Sequence, residues 1–464
     1  MFKWLEKVIS GSPADKTAPA AADNAAPPVR PRSGNPAEPP LPAPVIHLDQ
    51  GEQDELFKHG ILSRQVIVDR SYHPVAYEFG LRTESTQRNI ATAQILAGVL
   101  GRLGDTELNA GRQTWLRLND VEITEALVRS LDPTHPVLAV ELTTTDRQAG
   151  DTALANARLL KAEGFRLALA DWKDTTLHHA WLPLCDYVEV RNASHNPIEL
   201  GSWPEKLQIL SPQVRLVACD VDSWEVLEFC HRQNFHLFRG QFLTHRENWP
   251  RQPKISPERT RLIDLLNRLH LGAEITEIAD QLKQSPELSY RLLRYINSAG
   301  VGTNVRIGSI HQGLMVLGRD KIYRWLTVLL FTSGQAQSLD NALLEQALMR
   351  ARLMELLAGE RFSRVQVDEM FVIGIFSLLD MLLRMPMSVA LEPLKLPHAV
   401  ETTLLNADET ASEYSPFLNL AIACEESDRE RLKQLAAQLA IPLPIINSLH
   451  LDALVWTQKT LMEK

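Results

Sequence analysis

The chain has 464 residues, 45% of them hydrophobic and 23% charged, and a formal net charge of -9. That length predicts two domains, each large enough to bury its own core. The negative balance excludes a general nucleic-acid binder, because phosphate contacts need a basic surface, and the Arg-rich stretches 251–268 and 350–364 read as solvated helix faces. Four widely spaced cysteines, Cys185, Cys219, Cys230 and Cys424, form no CxxC pair, which predicts free thiols in a reducing compartment and no zinc site. No apolar run approaches the roughly 20 residues that span a bilayer, and the opening MFKWLEKVISGS lacks the apolar core of a signal peptide. A cytoplasmic protein is expected.

In residues 1–11, Phe2, Leu5, Val8 and Ile9 fall on one side of a short helix, with Lys3, Glu6 and Lys7 opposite. Two readings stand: a helix that docks on a partner or a membrane surface, and a frayed end too short to be stable in water. Residues 12–54 form an Ala/Pro-rich linker, with ten of the chain's 27 prolines between Ser12 and Val45. Such a composition buries too little apolar area to order itself.

Residues 55–250 alternate short β-type runs with helical ones. Strands are expected at Gln65–Val68, Val75–Leu81, Trp115–Leu118, Val137–Leu142, Arg166–Ala170, Tyr187–Val190, Val214–Cys219 and His236–Phe238. Helical patterns lie at Thr86–Leu100, Asp151–Glu163 and Ser223–Gln233. The alternation predicts an α/β domain with a largely parallel sheet, a barrel being the closed form, with functional side chains at the C-terminal strand ends.

In order, AYEFGLR (Ala76–Arg82), VELT (Val140–Thr143), GFRLALADWK (Gly164–Lys173), DYVEVR (Asp186–Arg191) and FHLFRGQF (Phe235–Phe242) resemble the motifs of EAL domains, the cyclic-di-GMP phosphodiesterase family. The resemblance implies a barrel whose strand-end acids hold two divalent cations that activate a water. Glu78 matches the motif Glu, Glu141 an acid of the third strand, Asp171 the second Asp of a DDFG motif, and Arg82 the Arg that contacts a ligand phosphate. The other ligand positions depart from the family. The Asn of the second strand falls on Arg117, with Asn119 as the nearby alternative; the first Asp of DDFG is Ala170. The Lys and Asp of KxD become Glu189 and Arg191, a later Glu becomes Cys219, and the late Gln becomes Arg239. A guanidinium at a strand end opposes dication binding. A degenerate domain without metal or hydrolysis is therefore expected, with Glu78, Arg82, Glu141 and Asp171 as candidate ligand-binding residues. Two plainer readings remain open: Glu78 paired with Arg82 or Arg191, and Arg82 paired with a barrel acid.

Residues 251–464 read as almost entirely helical, without a sustained heptad, which predicts an orthogonal bundle. Ser285-Pro286-Glu287 is a helix start, with Leu288, Leu292 and Ile296 as its stripe. Asn297–Gly300 ends that helix. A second begins at Ser309, with Gln312 at capping-box spacing, and closes at Gly318. Helices are also expected at Ile275–Leu282, Ile322–Leu330, Leu343–Leu357, Val367–Leu383, Ala399–Leu405, Phe417–Cys424 and Arg429–Leu439. LSYRLLRYINSAG, IGSI and GLMVLG together resemble the signature of HDOD domains, non-catalytic relatives of HD metal phosphohydrolases. The position of the family's His-Asp pair falls on Ser377-Leu378, Asp380 lacks a partner His, and Ala347–Gly359 carries no His at all. His311 and His398 stand alone. No metal, cofactor or catalytic set is expected.

The two resemblances together imply a bacterial signalling protein that acts without catalysis. Its partners would be a kinase, a response regulator or a cyclic-di-GMP enzyme, with no nucleic acid. The alternatives are a cyclic-di-GMP receptor without hydrolysis and, third, an active phosphodiesterase.

Overall fold

The computed structural model describes residues 60–83, 112–124, 136–194, 196–244, 255–296, 309–333, 338–359, 361–406, 411–426 and 429–462. The expected N-terminal helix, the 12–54 linker, the Thr86–Leu100 helix, the turn 297–304 and the join near residue 250 lie outside them.

Eight strands close into a barrel in chain order. They are β1 (Gly60–Asp69), β2 (Pro74–Thr83), β3 (Gln113–Asn119), β4 (Val137–Glu141), β5 (Arg166–Ala170), β6 (Tyr187–Arg191), β7 (Arg215–Cys219) and β8 (Leu237–Arg239). Every expected strand is present. One runs backwards: β1 is antiparallel to β2 and β8, and the remaining neighbours are parallel. The cause is a tight turn at the end of β1, where the Asp69 carboxylate accepts from the Ser71 and His73 amides at 2.8 and 2.9 Å. A hairpin this short leaves no residues for a crossover helix.

Helices α1 (Arg147–Ala162), α2 (Thr176–Trp181), α3 (Pro197–Leu210) and α4 (Trp224–Arg232) follow β4, β5, β6 and β7. Each begins at a side-chain cap, from Asp146, Thr175, Asn196 and Ser223 respectively. Neither α2 nor α3 is anticipated in the sequence; α3 holds Gly201 and Pro204, which read locally as breakers. Inside the barrel, the period of two points Ile67, Ala76, Trp115, Val137, Tyr187 and Leu237 toward one another as an apolar layer.

The helical half comprises α5 (Pro257–His270), α6 (Ile275–Lys283), α7 (Pro286–Ile296), α8 (Ile310–Leu317), α9 (Arg319–Thr332), α10 (Ser338–Ala358), α11 (Arg364–Phe376), α12 (Leu379–Leu383), α13 (Met387–Leu391), α14 (His398–Leu405), α15 (Ser415–Glu426), α16 (Arg429–Leu439) and α17 (Leu443–Met462). The expected α7 and α8 form as read: Ser285 and Ser309 cap them, and Gly318 ends α8 at φ 77. Leu288 and Leu292 bury against the same core as Leu314 and Leu317. The helix expected over Val367–Leu383 is broken. At Ser377 the side-chain hydroxyl donates to the Gly374 carbonyl at 2.7 Å, and the chain restarts as α12. Helix α10 is the hub, packed on α9, α11, α15 and α17. A Cβ on Gly374 would lie 2.3 Å from the Ala351 Cα, so α10 and α11 cross at backbone contact. All four cysteines are free and buried.

The bundle covers the outer face of the β1–β2 hairpin, where no described helix of the barrel lies: α15 and α17 contact β1, and α10 contacts β2. At the centre of this interface the Glu345 carboxylate of α10 accepts from four side chains. Tyr77 Oη lies at 2.6 Å, Arg112 Nη1 at 2.7 Å and Gln458 Nε2 at 2.5 Å, and Arg64 Nη2 is also in contact. Arg64 in turn lies 3.5 Å over the Tyr77 ring. Burial alone would raise the Glu345 pKa, but Arg64 and Arg112 outweigh it and hold the group at about 2.

Glu345→Ala leaves Arg64 buried without a countercharge and is expected to cost about 3–5 kcal/mol in urea unfolding. The sign of the pH dependence follows from the lowered pKa. The Glu345 contribution is complete above about 4.5, the ordinary value, and is lost as pH falls toward about 2. Wild type should therefore lose its stability margin over Glu345→Gln as the pH falls across that range. Buried His450, held down at about 4 by burial and the nearby Arg64, adds acid lability to both proteins and cancels in the comparison.

Candidate functional site at the barrel mouth

Above the apolar layer, the next inward-facing position of four strands carries a charge: Glu78 on β2, Arg117 on β3, Glu189 on β6 and Arg239 on β8. Each follows by two an inward apolar residue, Ala76, Trp115, Tyr187 and Leu237. Arg117 grips Glu78 with Nε at 2.8 Å and Nη2 at 3.1 Å, and reaches Glu189 at 2.5 Å. Arg239 contacts Glu78 and lies 3.2 Å from Glu189. Glu78, Glu189 and Arg239 are all buried, and Cys219 packs beside them. Burial pushes the Glu78 carboxyl up, but the two guanidiniums prevail and hold it at about 2. Burial raises Glu189, against the opposing pull of Arg117 and Arg239 and with the Glu78 charge adding to the rise.

One layer out, Glu141 ends β4 with its carboxylate 3.7 Å from Arg117 Nη1. Asp171 and Asp220 follow β5 and β7 in left-handed conformations, φ 50 and 55. Arg191 bridges them at 3.7 and 3.6 Å, and Lys173 lies 3.1 Å from Asp171. Asn119 is turned into the cap of a short 3-10 turn, accepting from the Glu122 amide at 2.9 Å. Of the alternatives, Arg117 therefore occupies the barrel centre.

Among the candidate ligand-binding residues, Glu78 and Glu141 meet on Arg117, whereas Asp171 belongs to the Arg191–Asp220 group. The side chain of Arg82 lies outside the described residues; its backbone pairs with Ile61. Of the two expected partners of Glu78, the pairing with Arg82 lies outside the described residues. Arg191 is corrected: it is at the mouth with Asp171 and Asp220, one inward position farther along β6 than Glu189. The described partners of Glu78 are Arg117 and Arg239. Parity was the signal that locates these partners, because 78, 117, 189 and 239 share the inward register of their strands. The residues do not fit a dication centre of the family's kind. Two guanidiniums fill the position between the acids, and no group of three or more His, Cys, Asp or Glu among the described residues is placed to hold a metal.

The helical half repeats the pattern. Arg350 of α10 binds Glu425 of α15 through Nε at 2.8 Å and Nη2 at 2.5 Å, and donates through Nη1 to Ser377 at 2.7 Å. Buried Asp380 adds its charge nearby. The guanidinium thus stands beside the positions of the HD-like pair. Reading 350–364 as a solvated face was wrong for its first turn: Arg350 and Arg352 are 3% and 5% exposed, each paired with a partly buried glutamate.

Residues 253–388 match the family model of the HDOD domain. The helical half of the chain therefore carries an HDOD domain, preceded by an EAL-like barrel; α14 to α17 lie beyond the matched span. The uncharacterized protein YuxH of Bacillus subtilis is 24% identical over 400 residues, covering 82% of this chain and 93% of that protein. The cyclic di-GMP phosphodiesterase CdgJ of Vibrio cholerae is 24% identical over 407 residues, covering 86% and 92%. Among solved structures, the FimX EAL domain of Pseudomonas aeruginosa bound to c-di-GMP aligns with a TM-score of 0.32 and 14% identity, over 41% of this chain and 92% of that one. No single described helix is long and apolar enough to cross a membrane; one pair, Glu430–Leu439 and Leu443–Gln458, bent by 103°, passes by length and composition.

Arg239→Gln leaves Glu78 and Glu189 with one guanidinium between them and is expected to cost about 3–5 kcal/mol in urea unfolding. The double variant Glu78→Gln/Arg239→Gln should cost less than the sum of the single changes. Additive costs would mean that the two side chains are not coupled.

Proposed function

We propose that this protein is a non-catalytic regulator in cyclic-di-GMP-linked signalling that acts by binding other signalling proteins. The observation that carries the reading is the Arg117–Glu78–Arg239–Glu189 cluster. A carboxylate held by two guanidiniums, as Glu78 is, must break both contacts before it can ligate a dication, and the arriving ion would meet two fixed positive charges. Arg350 with Glu425 and Ser377 supports the same reading for the helical half. A hydrolase needs an activated water. Among the described residues of the barrel centre, the carboxylates Glu78 and Glu189 are engaged by Arg117 and Arg239, and no group is placed to hold a metal.

The charge of the described mouth side chains favours the scaffold over a nucleotide receptor. Glu78, Glu189, Glu141, Asp171 and Asp220 face four cationic groups, Arg117, Arg239, Arg191 and Lys173. Among these described side chains the excess of one carboxylate works against a dianionic cyclic dinucleotide; the Arg82 side chain, the candidate phosphate contact, lies outside the described residues. The kinase, response-regulator and cyclic-di-GMP-enzyme partners expected from the resemblance belong to this proposal. The name of the relative CdgJ favours a second reading, a phosphodiesterase, which requires turnover despite Arg117 and Arg239.

Calorimetric titration of the purified chain with cyclic-di-GMP, with and without Mn²⁺, tests the readings together with chromatography of the recovered nucleotide. The expected result is intact nucleotide and no binding heat at tens of micromolar. Binding without cleavage would replace the scaffold with a receptor. Turnover lost on Glu78→Ala would establish the phosphodiesterase.

A further inference from the structure

The helical half holds a cavity of about 300 Å³ at the junction of α5, α9, α11 and α14. A space of that size with a mostly apolar lining suits a small organic ligand. Leu269, Phe371, Val372 and Val400 form the apolar floor, and Val365, 68% exposed, extends that surface outward. Three of the charged groups that line it are engaged by the protein. Arg324 lies 3.4 Å over the Phe371 ring with its two terminal nitrogens on Glu355, at 3.0 and 3.1 Å. Arg319 is turned onto the carbonyls of Gly272 and Ala273 at the end of α5. Glu369 accepts from Tyr414 at 2.5 Å.

Two carboxylates at the rim are left without a close countercharge. Asp320 is exposed and forms no ion pair among the described residues, and Asp368 has Arg324 only at 3.9 Å. Burial raises the Asp368 pKa; Asp320 and Glu355 add to the rise, and Arg324 and Arg364 oppose it. A cation placed against Asp368 would supply the charge that its surroundings withhold. The lining also holds one unsatisfied donor, the buried Nε of Arg324, which has no acceptor among the described residues. Such a donor is costly to bury unpaired, so an oxygen of a guest would recover part of that cost. Phosphates and carboxylates are disfavoured, because the terminal nitrogens of both arginines are already bound and the rim is negative.

We propose that this cavity binds a small organic monocation. Its apolar or aromatic body rests on Leu269, Val372 and Val400, its ammonium lies against Asp320 and Asp368, and an oxygen accepts from Arg324 Nε. The site also adjoins the hub of the bundle: Glu355, which holds Arg324, lies on α10, the helix whose Glu345 meets the barrel.

Three probes with a common phenylpropyl body test the assignment: phenylalaninol, which carries an ammonium and a hydroxyl, phenylpropanol, which lacks the ammonium, and phenylpropanoate, an anion. Methyl NMR of the full-length chain, labelled on Leu and Val, reads their binding at neutral pH. Phenylalaninol is expected to shift the Val365, Val372 and Val400 methyls saturably. The other two should bind at least about fivefold more weakly, the value of a part-exposed ion pair. Asp368→Asn keeps the side-chain volume and should weaken phenylalaninol by about the same factor. Val365→Lys changes an exposed side chain at the cavity edge, leaves the packing intact and should weaken it through like-charge repulsion. Equal binding of phenylpropanol, preferential binding of phenylpropanoate, or no phenylalaninol shift at these methyls would overturn the proposal. Phenylalaninol affinity unchanged in both variants would overturn it as well.

Discussion

The two halves of this molecule depend on one buried carboxylate. Glu345 projects from the hub helix of the bundle and is held by Arg64 of β1, Tyr77 of β2, Arg112 before β3 and Gln458 of α17. Removing such a group from water is costly, and the cost is recovered only when most of its acceptor positions are filled. Here donors from three barrel segments fill them. The hairpin requires this arrangement, because β1 and β2 are joined too closely for a covering helix and their outer face must be buried by something else. The bundle does so, and Glu345 sets its register on the barrel.

The same rule governs the interior of each half. Glu78 and Glu189 sit between Arg117 and Arg239, Glu425 is bound to Arg350, and Glu355 to Arg324 and Arg352. Arginine suits these positions because its planar fork satisfies two carboxylate oxygens and keeps its charge when buried. In each half a guanidinium with matched carboxylates fills the space between the elements. A filled, internally neutral cluster holds strand ends and helices together and exposes little reactive charge. The less buried carboxylates stand at the rims, with Glu141, Asp171 and Asp220 at the barrel mouth and Asp320 and Asp368 beside the bundle cavity.

Much of the architecture is legible in the residues themselves. Eight β-type runs became eight strands, since alternation and β-branched content are local properties. Ser285-Pro286 and Ser309 started helices because caps act within a single turn. What escaped was decided at a distance. Helix α17 carries His450, Asp452, Thr457 and Gln458 inside the core, so it has no polar face and no apolar stripe to read. Helix α3 keeps Pro204 in its interior, and α11 breaks at Ser377 because that hydroxyl bonds both Gly374 and Arg350.

For the candidate site the division is similar. The sequence by itself determined which residue types stand at the strand ends, including the arginines at 117 and 239, where the resemblance to EAL domains implies an Asn and a Gln, and it determined that residues 377–378 are not a His-Asp pair. Identity at a position is a local fact. Only the tertiary structure decided that Arg117 and Arg239 turn inward onto Glu78 and Glu189 while Arg191 stays at the mouth with Asp171 and Asp220. It also decided that Arg350 is buried when its surroundings in sequence read as a solvated face. Charge pairing depends on barrel closure and helix packing, which bring residues 39 to 161 positions apart to hydrogen-bond distance, and no local pattern encodes that approach.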